Sequence, residues 1–223
     1  MLGINTYSSN LSDEDIAKGK HRQHVGGAWD EIGRLQVDFL IARGLLPHHR
    51  LLDVGCGAMR GGVHAAAYLD AGHYYGIDVN DRLIHAALEV EVPQAGLQTK
   101  VPAANLHVTN RFDVPFDTTF DYAIAISLFT HLPLNHVRLC LFKVGQVMKP
   151  GSRLFATFFP VPENSPYDVR QRQVHVTTQA ERDPFHYRPS ELEWAASVGP
   201  WVFTYIGDWQ HPRGQHMVEF RRT

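Results

Sequence analysis

Cysteine is scarce in this chain, and the two present, Cys56 and Cys140, lie far apart. They form neither a CxxC pair nor a zinc spacing, which argues against a disulfide framework and for a reduced, cytoplasmic setting. Long apolar runs are missing too. The longest strongly apolar stretch, Tyr122 to Phe129 (YAIAISLF), falls far short of the roughly 18 residues that a membrane span needs. The first residues, MLGINTYSSNLSDEDIAKGK, place no apolar core behind a basic start and do not read as a secretory signal. Charge of one sign is not in excess either. A net charge of -2 and a pI near 6.7 give no broad drive toward nucleic acid or a membrane. There is no internal repeat and no low-complexity tract.

What is present is ordinary for a globular chain. The hydrophobic share is 44% and the charged share 20%, which excludes a disordered or fibrous protein. With 223 residues a single domain can bury about 70% of its unfolded surface without a metal or disulfide staple. The one oddity is a count of 14 histidines. His21 and His24 are three apart, but no HExxH pattern and no neighbouring acid accompanies them, so no metal site is read. His48 and His49 read as solvent-facing loop residues.

Along the chain, Ala28 to Arg43 carries Ile32, Leu35, Phe39 and Leu40 at helical spacing, with Gly44 and Pro47 as stops. Short apolar strands then alternate with helices. The strands are Arg50–Val54, His73–Asp78, Leu106–Thr109, Phe120–Ser127 and Ser152–Phe159; the helices are Gly61–Asp70, Asp81–Val92 and Asn135–Met148. This rhythm predicts an α/β, Rossmann-like, doubly wound sheet. Residues 161–189 break the pattern with repeated prolines and arginines, a connection long enough to suggest an insertion with a role at the site. A helix is expected from Ser190, with Ser190 and Glu193 as a capping box. Two closing strands, Trp201–Ile206 and His216–Arg221, would flank Gly207–Gln215. The division is therefore one domain over 1–223, with an N-terminal helical cap (1–47), a core (48–160), the insertion (161–189) and a last helix and hairpin (190–223).

The chemistry is concentrated in Leu51-Leu-Asp-Val-Gly-Cys-Gly-Ala-Met-Arg-Gly-Gly62. A strand ends in Gly55-x-Gly57, where glycine lets the backbone turn and lets a ligand approach the main chain. The next strand ends in Asp78, a carboxylate that can accept both hydroxyls of a ribose. A dinucleotide turn wants GxGxxG, but here the pattern is GxGxxxGG and Asp53 stands two residues before the first glycine. An acid there repels a pyrophosphate and can hold a cationic amine, which favours S-adenosylmethionine over a dinucleotide.

These stretches, together with YYGIDVN, FDYAIAISLFTHLP and MKPGSRLFATF, resemble the four cofactor motifs of the class I S-adenosylmethionine-dependent methyltransferases. The resemblance covers roughly residues 48 to 160. HRQHVGGAWDEIG and the ending GDWQHPRGQHM are similar to a group of small bacterial-type methyltransferases. The resemblance implies a seven-stranded sheet, mostly parallel with an antiparallel last strand. By position it places Asp53, Gly55 and Gly57 at the methionine end of the cofactor, Asp78 at the ribose and Ser127 beneath the methionine. The family often has an acid after the third strand for the adenine amino group; here Asn110 and Asp113 contend, with Phe112 as a stacking surface. Arg60 either caps the methionine carboxylate or braces the glycine loop. In the resembling group, segments like that around Gly26, Gly27 and Trp29 fold over the cofactor; the alternative is a simple helix entry.

His131, just past the central strand, is the first candidate base, against the alternative that it only fixes the following turn. His136 reads as a surface residue. His211 is a second candidate base or acceptor contact, with Arg213 either binding an acidic acceptor or pairing with Asp208. Arg170, Arg172, Arg182 and Arg188 either receive an anionic substrate or belong to a solvated loop. The function expected is methyl transfer to an oxygen or nitrogen of a small-molecule or glycan-like acceptor, hydroxyl before carbon. An RNA acceptor is disfavoured by the pI and by the lack of an Asn/Asp-Pro-Pro-Tyr motif. The rivals are a non-catalytic S-adenosylmethionine-binding module and a nicotinamide-dependent oxidoreductase.

Overall fold

A computed structural model describes residues 11–161 and 182–223. Arg170, Arg172 and most of the 161–189 insertion lie outside the described residues. Three helices open the described chain: α1 (Asp13–Ala17), α2 (Lys20–His24) and α3 (Trp29–Ala42). Then follow β1 (Leu51–Val54), α4 (Gly62–Tyr68), β2 (Tyr74–Asp78), α5 (Asp81–Ala86), α6 (Val92–Gln94), β3 (Leu106–Val108), β4 (Phe120–Ala125), α7 (Leu134–Gly145) and β5 (Met148–Pro160). The described chain closes with β6 (His186–Tyr187), α8 (Pro189–Ala196), β7 (Trp201–Asp208) and β8 (His216–Arg222).

The strand order is β3-β2-β1-β4-β5-β8-β7. Strands β1 to β5 pair in parallel, and β8 runs antiparallel to both β5 and β7. The chain winds outward from β1 to β3, then returns to β4 on the other side of β1. That reversal opens a crevice at the carboxyl ends of β1 and β4, where ligands bind in such sheets. The expected seven strands become eight, because β6 adds a two-residue parallel pairing to the end of β5, Phe159 opposite His186 and Pro160 opposite Tyr187.

Both faces of the sheet are covered, which is why β1 and β4 are buried almost throughout and, apart from Asp53 and Asp121, apolar. Leu52, Val54, Ala123 and Ala125 pack toward Val137, Leu141 and Leu192 of α7 and α8. Leu51, Tyr122, Ile124 and Phe155 pack toward Leu40, Ala65 and Ile84 of α3, α4 and α5. The local signals hold for α3, whose predicted span differs by one residue at each end. Elsewhere tertiary context wins. Lys149-Pro-Gly151, which follows the expected Asn135–Met148 helix, is taken into β5, and the β4–β5 register shifts between Phe120 and Tyr122 to accommodate it. The helix expected over Asp81–Val92 is interrupted by a π-helical stretch, Ala87–Glu91, between α5 and α6. The Ser190 capping box is a correction: α8 starts at Pro189, and the Arg188 N–H donates to Glu191 Oε2 at 2.7 Å. Proline's fixed φ and missing N–H suit the first helical position.

Candidate active site

The crevice is a cavity of about 380 Å³, within the range of small-ligand sites. Its floor is the β1–α4 turn. Gly55 and Gly57 have φ of +76° and +54°, a region that glycine enters without strain. The Gly55 and Cys56 N–H groups both donate to the Ile77 carbonyl, at 2.8 and 3.1 Å, which clips the turn to the end of β2. The Gly57 N–H donates to Asp78 Oδ2 at 2.8 Å, and the Asn80 N–H donates to Asp78 Oδ1 at 2.8 Å. Both oxygens of Asp78 are thus oriented by main chain while the residue lines the cavity. Burial raises its carboxyl above the usual range, partly offset by the Asn80, Gly57 and Val79 backbone hydrogen bonds.

Asp53 also lines the cavity. Its Oδ2 accepts the Tyr74 hydroxyl at 2.8 Å, and burial pushes its carboxyl up to about 7 against that hydrogen bond. Arg60 lines the cavity and donates to the Val25 and Gly27 carbonyls at 2.9 and 3.3 Å. Arg213 donates to the neighbouring Gly26 carbonyl. The 25–27 segment is therefore held against the core by two arginines, and Val25 becomes part of the cavity wall. Arg213 thus anchors this segment, and Asp208 accepts the Gln210 N–H at 2.8 Å.

At the far end, Asn110 and Phe112 line the cavity. Asp113, the competing acid, is exposed and ion-paired to Lys143 at 2.7 Å. Ser127 lines the cavity with φ +58°, a costly conformation for a non-glycine residue. It is held by its N–H to Thr157 Oγ1 (2.6 Å) and its hydroxyl to Gln215 Oε1 (3.1 Å). His131 lines the cavity on the turn after β4, and its Nδ1 lies 2.5 Å from Asp183 Oδ2.

Of the sequence-selected residues, Asp53, Gly55, Gly57, Arg60, Asp78, Asn110, Ser127 and His131 converge on one cavity. His211 is not among its lining residues. It is buried, stacked on Trp209 with centroids 5.4 Å apart, and its Nδ1 accepts the Arg213 N–H at 3.2 Å. Burial, with Arg60 and Arg213 nearby, holds its pKa down to about 4. His136, read as a surface residue, lines the cavity instead, as do Gln36 and Leu139. Helical spacing could have marked them only if the rotation of α3 and α7 about their axes were known. Cys56 lines the cavity as well, but burial and the Asp78 and Asp53 charges push its thiol well above the usual range, so it is no ready nucleophile. Among the described residues no group of three or more histidine, cysteine or acidic side chains is placed to hold a metal ion. No helix among them is long and apolar enough to cross a membrane.

Residues 52–154 match the family model described as a methyltransferase domain. An O-methyltransferase of Aspergillus nomiae is 37% identical over 106 residues, which are 47% of this chain and 44% of the relative. An O-methyltransferase of Penicillium expansum is 35% identical over 107 residues, 47% of this chain and 36% of the relative. The chain thus aligns with less than half the length of these two curated relatives. Among solved structures, the magnesium protoporphyrin IX methyltransferase of Synechocystis, crystallised with S-adenosylmethionine, aligns with a TM-score of 0.63 at 14% identity, over 98% of this chain and 88% of that one. An amino pentose methyltransferase of Micromonospora echinaspora aligns with a TM-score of 0.64 at 18% identity, over 96% and 99%. At these identities the likeness is one of fold.

Proposed function

From the match of residues 52–154 to a methyltransferase-domain model, we propose that the chain transfers a methyl group from S-adenosylmethionine to an oxygen or nitrogen of a small-molecule or glycan-like acceptor. The observation that carries this reading is the convergence of Asp78, Asp53 and the Gly55–Gly57 main chain on the same cavity wall as His131. The donor set fits the cofactor. A carboxylate oriented at the end of β2 suits a ribose diol, Asp53 suits an ammonium, and Asn110 with Phe112 offers an amide and a ring to adenine. A Cβ on Gly57 would sit 3.1 Å from Val25 Cγ1 on a backbone at φ +54°, so a side chain there would be both crowded and strained.

When bound, S-adenosylmethionine supplies an activated methyl group and a good leaving group. The chain's task is then to align the acceptor, exclude water and take up a proton. The 25–27 segment, clamped by Arg60 and Arg213, closes one side against water. His131 is placed on the wall to accept a hydroxyl proton, which favours hydroxyl over carbon acceptors; His211, away from the wall with its pKa depressed, is not assigned this role.

Asp78→Ala is expected to weaken S-adenosylmethionine binding by about 1–3 kcal/mol, the cost of unmade charge-assisted hydrogen bonds. Calorimetry on the folded variant checks it, and unchanged affinity removes the ribose assignment. Turnover of wild type on a panel of phenols, alcohols and amines tests the transfer itself.

A further inference from the structure

The returning limb of the 161–189 connection brings one acid to the candidate base, and we propose that Asp183 is the positioning residue that makes His131 a proton acceptor. The inference rests on the methyl-transfer reading above. Two hydrogen bonds dock this limb on the turn that carries His131. The Phe185 N–H donates to the Thr130 carbonyl at 2.7 Å, and the Tyr187 hydroxyl donates to the Leu132 carbonyl. Strand β6 then pairs with the end of β5. From below, the Thr130 hydroxyl donates to the Ser127 carbonyl at 2.9 Å. His131 therefore sits between two main-chain anchors, and its ring meets Asp183 through Nδ1 to Oδ2 at 2.5 Å.

The burial of the pair is unequal. The Asp183 side chain is 4% exposed, while that of His131 is 22% exposed on the cavity wall. Asp183 Oδ1 is buried with no hydrogen-bond partner among the described residues. A buried carboxylate with one oxygen unmatched is costly, so simple stapling of the limb is a poor reason for an acid here. A proton-transfer role gives a better one. A carboxylate accepts but does not donate, so it holds the neutral imidazole with its proton on Nδ1 and Nε2 unprotonated. As the acceptor oxygen forms its bond to the methyl carbon and the carbon–sulfur bond breaks, the hydroxyl proton passes to Nε2. The products are the methylated acceptor, S-adenosylhomocysteine and an imidazolium that the Asp183 carboxylate stabilises. The acceptor class this favours is a neutral hydroxyl, which must lose a proton, over an amine that arrives with a free lone pair.

The test uses the full chain as wild type, Asp183→Asn, His131→Ala and the double variant, with nitrogen-15 labelled histidine. In wild type the neutral His131 ring is expected to carry its proton on Nδ1; a proton on Nε2 overturns the proposal whatever the turnover. Asp183→Asn is expected to lower kcat on a phenol acceptor by about 10²–10⁴-fold, with the S-adenosylmethionine Kd within about twofold of wild type. The double variant should be no slower than His131→Ala alone, as expected for groups acting as a unit. Near-normal kcat in Asp183→Asn, or a loss that appears only in KM and cofactor affinity, makes Asp183 a structural staple and overturns the proposal. If wild type binds no S-adenosylmethionine, the methyl-transfer reading fails, and the ring-proton measurement still decides whether Asp183 sets the tautomer.

Discussion

Asp53 shows how one residue can tie stability to ligand chemistry. Its carboxyl is pushed up to about 7, chiefly by burial, with the Tyr74 hydrogen bond opposing and the Asp78 charge adding to the rise. A folded value above the ordinary 3.8 means that the fold prefers the neutral acid. The corresponding stabilisation is complete below about pH 4 and is lost as pH rises through about 7, a change on the order of a few kcal/mol. The ligand-free chain is therefore expected to melt at lower temperature at pH 8 than at pH 5.5, and Asp53→Asn to shrink that gap. Thermal melts at the two pH values check it, and an unaltered gap in the variant assigns the slope elsewhere. A cationic amine beside the carboxylate favours its ionised form. Binding of S-adenosylmethionine at pH 6 should then release up to about one proton from Asp53, read by calorimetry in buffers of different ionisation enthalpy, and the Asn variant should release less. Asp53 was legible because its place relative to Gly55 is a matter of local spacing. Asp183 was not, because it meets His131 across a sequence separation of 52 residues, and no local pattern encodes that pairing.

The same contrast governs the N-terminal elements. The sequence shows no acid beside His21, yet the fold brings Glu91 to it from the end of the π-helical stretch, with His21 Nε2 at 2.6 Å from Oε1. Arg22 adds a two-pronged contact at 2.7 Å to each oxygen and lies 4.8 Å from the centre of the Trp29 ring. Glu91 is 2% exposed and Arg22 40% exposed, so Arg22 can rehydrate when the pair is broken while His21 cannot. Glu91→Gln is expected to cost about 1–3 kcal/mol and to loosen α2 and the Val25–Gly27 segment that follows it. Because Val25 lines the cavity, cofactor affinity should fall by several-fold at the same time. Amide hydrogen exchange over residues 20–27, compared with the measured Kd, checks the coupling. Faster exchange with unchanged Kd would mean that the segment covers the cavity without contributing to binding. Of these helices, α3 was readable from its apolar spacing and end signals. Their docking was not, since it depends on which faces meet once the sheet has formed.

At the scale of the molecule, the alternation of strand and helix was enough to call the sheet, and the antiparallel β8 follows from the short connection after β7. The short β6 lay beyond reach, because two residues carry no periodicity. Distant elements are joined at Arg153 of β5, which donates to the Arg43 carbonyl at 2.6 Å beyond α3 and to both Glu219 oxygens of β8 at 2.7 and 2.9 Å. A ligand bound at the switch between β1 and β4 would meet a lining drawn from Val25 to Leu139, so its binding should stabilise the described fold broadly. S-adenosylmethionine at 100 times its Kd contributes about 2.7 kcal/mol, which in a chain of this size raises Tm by roughly 5–10 °C. NAD supplies the same adenosine but adds a pyrophosphate that must lie along the β1–α4 turn. There it would meet Asp53 and a glycine pattern without the close helix approach that a dinucleotide requires. Its expected shift at equal concentration is under about 1 °C. A melt in which NAD matches or exceeds S-adenosylmethionine would overturn the cofactor assignment and restore the oxidoreductase alternative.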